Sequence, residues 1–209
     1  MMSSLHICML LLILLAYLLG SIPTAVWVGK LFYKTDVRQV GSKSAGATNT
    51  IRVLGLKAGI PVLIIDVFKG WLALFIADSY KLELDFQWHA FFMVIVSLAV
   101  VLGHVYPVFA SFKGGKGVAT LLGVAIALFP YEIIVLLGIF IIVFILSRYV
   151  SLASITAAVS FPFVSCFLFN TQEIAYIAFS IFVALFVPLT HIKNIKRLIK
   201  GEENKMTFK

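Results

Sequence analysis

Long apolar runs separated by short polar connections dominate this chain. Seven runs stand out, at about 5–28, 57–78, 87–106, 117–130, 131–147, 152–169 and 172–191. A membrane-crossing helix needs roughly 20 mostly apolar residues, and in lipid each backbone polar group must pair within its own segment. The pattern therefore predicts an all-α integral membrane protein with seven transmembrane helices. They form one membrane domain over 1–192, followed by a tail over 193–209. The stretch 117–147 is too long for one crossing. Pro130 and Glu132 predict a turn that divides it into two short helices. One tilted helix there is the alternative, and it would put both chain ends on the same side.

Charge sets the orientation. Of the 17 Lys and Arg residues, all but Lys69 and Lys81 fall in 30–57, in the connections holding Lys113, Lys116 and Arg148, or in the tail after His191. The opposite connections carry Asp78, Glu83, Asp85, Glu132 and Glu173. Basic loops stay on the cytoplasmic side, so the amino end is predicted outside and the carboxyl end cytoplasmic. Seven crossings meet this charge pattern without conflict. Met1–His6 has no Lys or Arg and so lacks the basic start of a secretory signal, and the first run is expected to be retained as a helix.

Composition agrees. The 209 residues are 62% hydrophobic and 12% charged, with a mean hydropathy of +1.08. A soluble domain is about 45–50% apolar and about 25% charged, so this excess must be solvated by lipid. The net charge of +8 sits in short topological connections, which argues against nucleic acid as a partner and for acidic headgroups and phosphorylated substrates. Cys8 and Cys166 lie inside apolar runs and read as small buried hydrophobes, with no zinc-ligand spacing around them.

Four polar segments carry the candidate chemistry. The first, 36–52, clusters Gly41, Ser42, Ser44, Gly46, Thr48, Asn49 and Thr50 between Arg38 and Arg52. Such backbone can aim N–H groups and hydroxyls at an anion, or it can be a solvated loop with topology residues. The second holds Lys113, Gly114, Gly115, Lys116 and Gly117 directly before an apolar helix. Helix starts bind anions, and glycine lets a phosphate come close to the backbone; the plain reading is a flexible turn. Lys116 is followed by Gly117, so this is not a Walker A loop and ATP hydrolysis is not implied. In the third, Arg148–Ile155, Ser151 and Ser154 either bind a polar ligand or cap the next helix. In the fourth, His191 and Asn194 are three apart and so are expected on one helix face. Asp66 and Lys69, also three apart within a span, read as an ion pair in the bundle or a ligand contact. No G-x-S-x-G, H-E-x-x-H or paired catalytic carboxylates occur, so serine- and zinc-type membrane proteases find no support.

Taken in order, several motifs resemble one family. They are Gly20-Ser-Ile-Pro23, Gly41-Ser42 with Gly46-Ala-Thr-Asn49, Gly103-His-Val-Tyr-Pro107, Phe112-Lys-Gly-Gly-Lys-Gly-Val-Ala-Thr120, Arg148-Tyr-Val-Ser-Leu-Ala-Ser-Ile155 and Asn194-Ile-Lys-Arg-Leu198. The chain resembles the bacterial acyl-phosphate:glycerol-3-phosphate acyltransferases (the PlsY type) over nearly its whole length. The resemblance implies transfer of a fatty acyl group from acyl phosphate to the 1-hydroxyl of sn-glycerol 3-phosphate, giving lysophosphatidic acid and phosphate. That is the first acylation of phospholipid synthesis. It also implies seven membrane helices in the bacterial cytoplasmic membrane, with the active site facing the cytoplasm. No cofactor and no metal are expected. The expected partners are membrane lipids, the two substrates and a soluble acyl-phosphate synthase. By position, the resemblance assigns Lys116, Arg52, His191, Asn194 and Ser151 to catalysis and to holding glycerol 3-phosphate. Ser42, Thr48, Asn49, Lys113, Gly114, Gly115, Gly117 and His104 are assigned to substrate phosphate. The chain departs from the family at Lys43 and Ser44, where Gly-Asn is common.

Two readings of other classes remain at this point. A small organic-phosphate transporter would also show basic loops and a charged pair within a span, although no internal repeat divides the chain into halves. A structural membrane partner of a soluble enzyme would have no activity of its own.

Overall fold

The computed structural model describes residues 4–206, and every element among them is helical. The chain divides into two compact units, Met1–Leu128 and Phe129–Lys209.

The first unit begins with α1 (Ser4–Gly20) and α2 (Thr24–Tyr33). The expected single run over 5–28 is interrupted at Ser21–Pro23. Proline has no N–H and disfavours helix in the residue before it, so the ladder stops and the Ile22 carbonyl is released for another partner. After a loop come α3 (Ala47–Leu54), α4 (Leu56–Ser79), α5 (Phe86–Val105) and α6 (Val118–Leu128), with a 3₁₀ turn at Val108–Ala110. The sequence pattern did not predict α3, a two-turn helix inside a loop.

Helix α4 is the centre of this unit, with α1, α2, α3, α5 and α6 packed on it. Small residues make the closest crossings. A Cβ on Gly123 would overlap the Val67 carbonyl, and one on Gly70 would overlap that of Thr120, so α4 and α6 meet backbone to backbone. Gly20 and Gly103 do the same where α1 crosses α5.

The second unit holds α7 (Glu132–Ser147), α8 (Val150–Phe163), α9 (Ile174–Thr190) and α10 (Ile192–Ile199), with a π turn at Val164–Leu168. Pro130 stands in the break before α7, where the sequence placed a turn. Helix α8 packs on both α7 and α9. Phe129 fills the core, edge-on to Phe161 at 4.8 Å and stacked on Phe179 at 6.0 Å. Between α9 and α10 the chain bends by 62°.

Four helical segments are long and apolar enough to cross a membrane: Ser4–Tyr33, Leu56–Ser79, Phe86–Ala110 and Val150–Leu168. The bent pair of α9 and α10 makes a fifth if counted as one, while α6 and α7 are apolar but shorter. Phe32, Leu146 and Phe167 are at least three-quarters exposed, as lipid-facing side chains are.

Candidate functional site

In the first unit the polar loop after α2 is organised by Asn49, which is 1% exposed. Its Oδ1 accepts from the Ser42 N–H at 2.8 Å. Its Nδ2 donates to the carbonyls of Val37 (2.7 Å), Val40 (3.1 Å) and Ser44 (3.1 Å). Asn49 is therefore a pin that fixes the loop. Gly41 and Lys43 both take left-handed backbone, with φ of +64° and +58°. Lys43 thus holds a backbone conformation that favours glycine, at a cost of roughly 1–2 kcal/mol. Ser42 and Thr48 are half-buried, Thr48 in the first turn of α3 and Arg52 in its last.

The loop is joined to the glycine-rich segment between α5 and α6. Asp36 accepts from Arg38 through N–H (3.0 Å), Nε (2.9 Å) and Nη2 (2.7 Å), and Arg38 Nη1 donates to the Ala110 carbonyl at 3.0 Å. Hydrogen bonding from Arg38 holds the Asp36 carboxyl well below the usual carboxylate range, against a smaller opposing effect of burial. Lys30 adds a weaker contact at 3.5 Å.

The glycine-rich segment lies across the end of α5. The Gly114 N–H donates to the Val105 carbonyl at 3.1 Å, and the Gly115 N–H to that of His104 at 3.2 Å. These two donors cap α5 and are not aimed at a ligand. The donors left for an anion are at the start of α6, where Val118, Ala119 and Thr120 have no carbonyl four residues back within their helix. Gly117, at φ +83°, makes the turn into that start. Lys113 is exposed and Lys116 half-buried beside it. Gly115 has no space for a side chain: a Cβ would overlap His104 Nε2 and lie 2.9 Å from the Ala45 carbonyl. The two polar segments singled out in the sequence are thus in direct contact.

Behind this loop lies a buried ionic cluster. Lys69 Nζ stands 2.9 Å from Asp66 Oδ1, with side chains 4% and 2% exposed. The same oxygen accepts from Thr24 Oγ1 at 3.1 Å and faces His104 Nδ1 at 3.6 Å. Lys69 also donates to the released Ile22 carbonyl at 2.9 Å.

In the second unit a carboxylate that the sequence did not single out gathers two predicted residues. Glu203 Oε1 accepts from Ser151 Oγ at 2.9 Å and from Asn194 Nδ2 at 2.7 Å, while Oε2 accepts from Arg197 Nε at 2.7 Å. Burial alone would raise the Glu203 carboxyl, but the hydrogen bonds from Asn194, Arg197 and Ser151 outweigh it and lower it. Lys205 and Met206 are tied down near the same place. Met206 N–H donates to the Arg148 carbonyl at 2.9 Å, and Lys205 lies over the Tyr149 ring.

His191 and Asn194 do not share one helix face, because the bend between α9 and α10 falls at His191. They belong to one turn, in which the Asn194 N–H donates to the His191 carbonyl at 2.8 Å. The His191 ring is buried, with Nδ1 2.8 Å from the Val187 carbonyl. A carbonyl only accepts, so Nδ1 carries hydrogen, and in the neutral ring Nε2 is the basic nitrogen. Among the described residues, no three His, Cys, Asp or Glu side chains converge as a metal site would require.

The sequence profile of glycerol-3-phosphate acyltransferase matches residues 10–201. A glycerol-3-phosphate acyltransferase of Fusobacterium nucleatum is 48% identical over 197 residues, covering 94% of this chain and 97% of that one. One of Listeria monocytogenes is 42% identical over 200 residues, covering 96% and 98%. The crystal structure of PlsY, an integral membrane glycerol 3-phosphate acyltransferase, in its glycerol 3-phosphate form superposes with a TM-score of 0.85. It is 38% identical and covers 96% of both chains. The lysophosphatidic acid form of that enzyme gives a TM-score of 0.81 at 37% identity.

Proposed function

The chain belongs to the glycerol-3-phosphate acyltransferase family, and from that membership we propose the full reaction. A fatty acyl group passes from acyl phosphate to the 1-hydroxyl of sn-glycerol 3-phosphate, releasing inorganic phosphate and leaving lysophosphatidic acid. The observation that carries the proposal is the glycine-rich segment, clamped to the first polar loop through Arg38 and Ala45, with a helix start and Lys116 beside it. That is an anion site without nucleotide-binding features. It suits a donor whose activated group is a phosphate.

The donor is a mixed anhydride, so its leaving group needs little covalent help. The hydroxyl oxygen attacks the acyl carbon, the carbon–oxygen bond to phosphate breaks, and the hydroxyl proton leaves with the phosphate as hydrogen phosphate. The protein's part is to orient both reactants and to stabilise charge on the carbonyl and leaving phosphate. In the first unit, Lys113, Gly117 and His104 serve the acyl phosphate, with Gly114 and Gly115 shaping the loop, while Lys116 and Arg52 serve glycerol 3-phosphate. Ser42, Thr48 and Arg52 supply the polar surface that Asn49 fixes. In the second unit, Ser151, His191 and Asn194 serve glycerol 3-phosphate. The substrate phosphate takes the proton, and His191 positions the acceptor. His191→Ala is accordingly expected to raise the glycerol 3-phosphate KM with kcat largely kept; a collapse of kcat at unchanged KM would make His191 the base.

The topology that goes with this reading has seven crossings, with the short α6 and α7 each spanning. The amino end is outside, and the basic loops and catalytic residues are on the cytoplasmic face of the bacterial cytoplasmic membrane. The basic connections support that orientation. A soluble acyl-phosphate synthase supplies the donor.

³¹P NMR on purified protein tests the reaction. Acyl phosphate should decline only when glycerol 3-phosphate is present, with inorganic phosphate and lysophosphatidic acid appearing one to one. Decline without acceptor, or no decline at all, counts against the proposal.

A further inference from the structure

His104 joins the glycine-rich segment to the buried ionic cluster. Its carbonyl accepts the Gly115 N–H, and its Nε2 occupies the space where a Gly115 side chain would be. Its Nδ1 faces Asp66, whose Oδ1 is already pinned by Lys69 and Thr24. The ring is 6% exposed, so its orientation is set by these contacts and not by solvent. An ionised carboxylate only accepts, so the nitrogen turned to it carries hydrogen. The other nitrogen is then the one at the floor of the glycine loop.

We propose that Asp66 is a positioning residue for acyl transfer: held by Lys69 and Thr24, it fixes the His104 ring so that Nε2 meets the phosphate bound at the glycine loop in a hydrogen bond. The proposal rests on the assignment of that loop to acyl phosphate and deepens it. An aliphatic filler would support Gly115 equally well. It would give no reason for a buried carboxylate to stand at Nδ1.

Amide isosteres separate the two ends of the ring. Asparagine puts its amide near Nδ1 and so still serves Asp66; glutamine puts its amide near Nε2 and so still serves the loop. KM for palmitoyl phosphate and kcat are to be measured for wild type, His104→Asn and His104→Gln, each shown folded by thermal unfolding. The expected result is a KM raised roughly tenfold or more in His104→Asn, the scale of one hydrogen bond to a charged group, with kcat largely kept. His104→Gln should return KM most of the way to wild type. The opposite order, with His104→Asn normal and His104→Gln impaired, would show that the ring serves Asp66 only and would overturn the proposal. A fall in kcat in both variants at unchanged KM would overturn it in favour of proton transfer.

Asp66→Asn alone would strand Lys69, so the charge is removed as the pair Asp66→Asn/Lys69→Met. That pair should reproduce the KM defect, and adding His104→Asn should raise KM no further. Additive defects would mean that Asp66 does not act through His104. Binding of inorganic phosphate, followed by calorimetry in wild type and His104→Asn, gives a readout independent of turnover. Weaker binding in the variant is expected even if wild type makes no lysophosphatidic acid, in which case the acyl-phosphate reading alone fails. Equal binding overturns the proposal.

Discussion

Asp66 in the first unit and Glu203 in the second are buried carboxylates, each facing three polar partners, but their settings differ. Asp66 sits in mid-helix beside a lysine that is itself 4% exposed, so neither charge can reach water. The Glu203 side chain is 5% exposed, but that of its cationic partner Arg197 is 31% exposed and its other partners are neutral. The first is a closed charge pair whose halves depend on each other. The second is a hub on which a hydroxyl, an amide and a guanidinium converge, and its loss frees groups that can partly hydrate. Breaking the pair should damage the fold, whereas breaking the hub should damage mainly the arrangement of Ser151 and Asn194.

The largest effect is expected from Asp66→Ala, which leaves the Lys69 ammonium buried and unpaired and should cost about 3–5 kcal/mol. Thermal unfolding in detergent would show it as a large drop in Tm or as failure to purify a folded chain. Next comes Glu203→Gln, which keeps the shape but loses the charge and one acceptor. A stability cost of about 1–3 kcal/mol is expected. The fall in kcat/KM for glycerol 3-phosphate should be disproportionate to that cost. An effect of Glu203→Gln on stability as large as that of Asp66→Ala would erase the distinction between pair and hub.

Acid should also weaken the fold. Asp36 and Glu203 are both lowered in the folded chain, from ordinary values of 3.8 and 4.5. A lowered group contributes stability that is present above its ordinary value and lost as pH falls toward its folded one. Tm should therefore be insensitive to these groups near neutrality and decline below about pH 4.5, with Glu203→Gln showing a shallower decline. The smallest effect is expected at Lys43, whose positive φ suits glycine. Lys43→Gly should relieve strain but loosen the unfolded chain, for a net gain below about 1 kcal/mol. Circular dichroism melts should register a rise in Tm of a few degrees at most.

The two carboxylates also show what the sequence could disclose. The pairing of Asp66 with Lys69 is legible because both lie on one helix, three residues apart, where charge is otherwise rare. Glu203 is not: it stands next to Glu202 in a basic tail, and nothing local says which of the two turns inward to meet Ser151, 52 residues away. The apolar runs located the helices well because lipid burial imposes one composition on each of them. The break at Ser21–Pro23 and the helix at Ala47–Leu54 were less visible, since both depend on partners elsewhere in the unit. The glycine-rich segment was legible as a loop before a helix. That Gly114 and Gly115 spend their N–H groups on α5 was not, because the choice is made by the carbonyls of Val105 and His104. The residues predicted for Ser42, Asn49, Ser151 and Asn194 chemistry are all engaged in fixed hydrogen bonds, a degree of preorganisation that spacing alone does not reveal.

Acyl phosphate is the proposed donor at the glycine loop. The direct test gives purified protein in lipid radiolabelled glycerol 3-phosphate with either palmitoyl phosphate or palmitoyl-CoA. Labelled lysophosphatidic acid from palmitoyl phosphate alone is the predicted result. Product from palmitoyl-CoA alone, or from neither donor in folded protein, would contradict it.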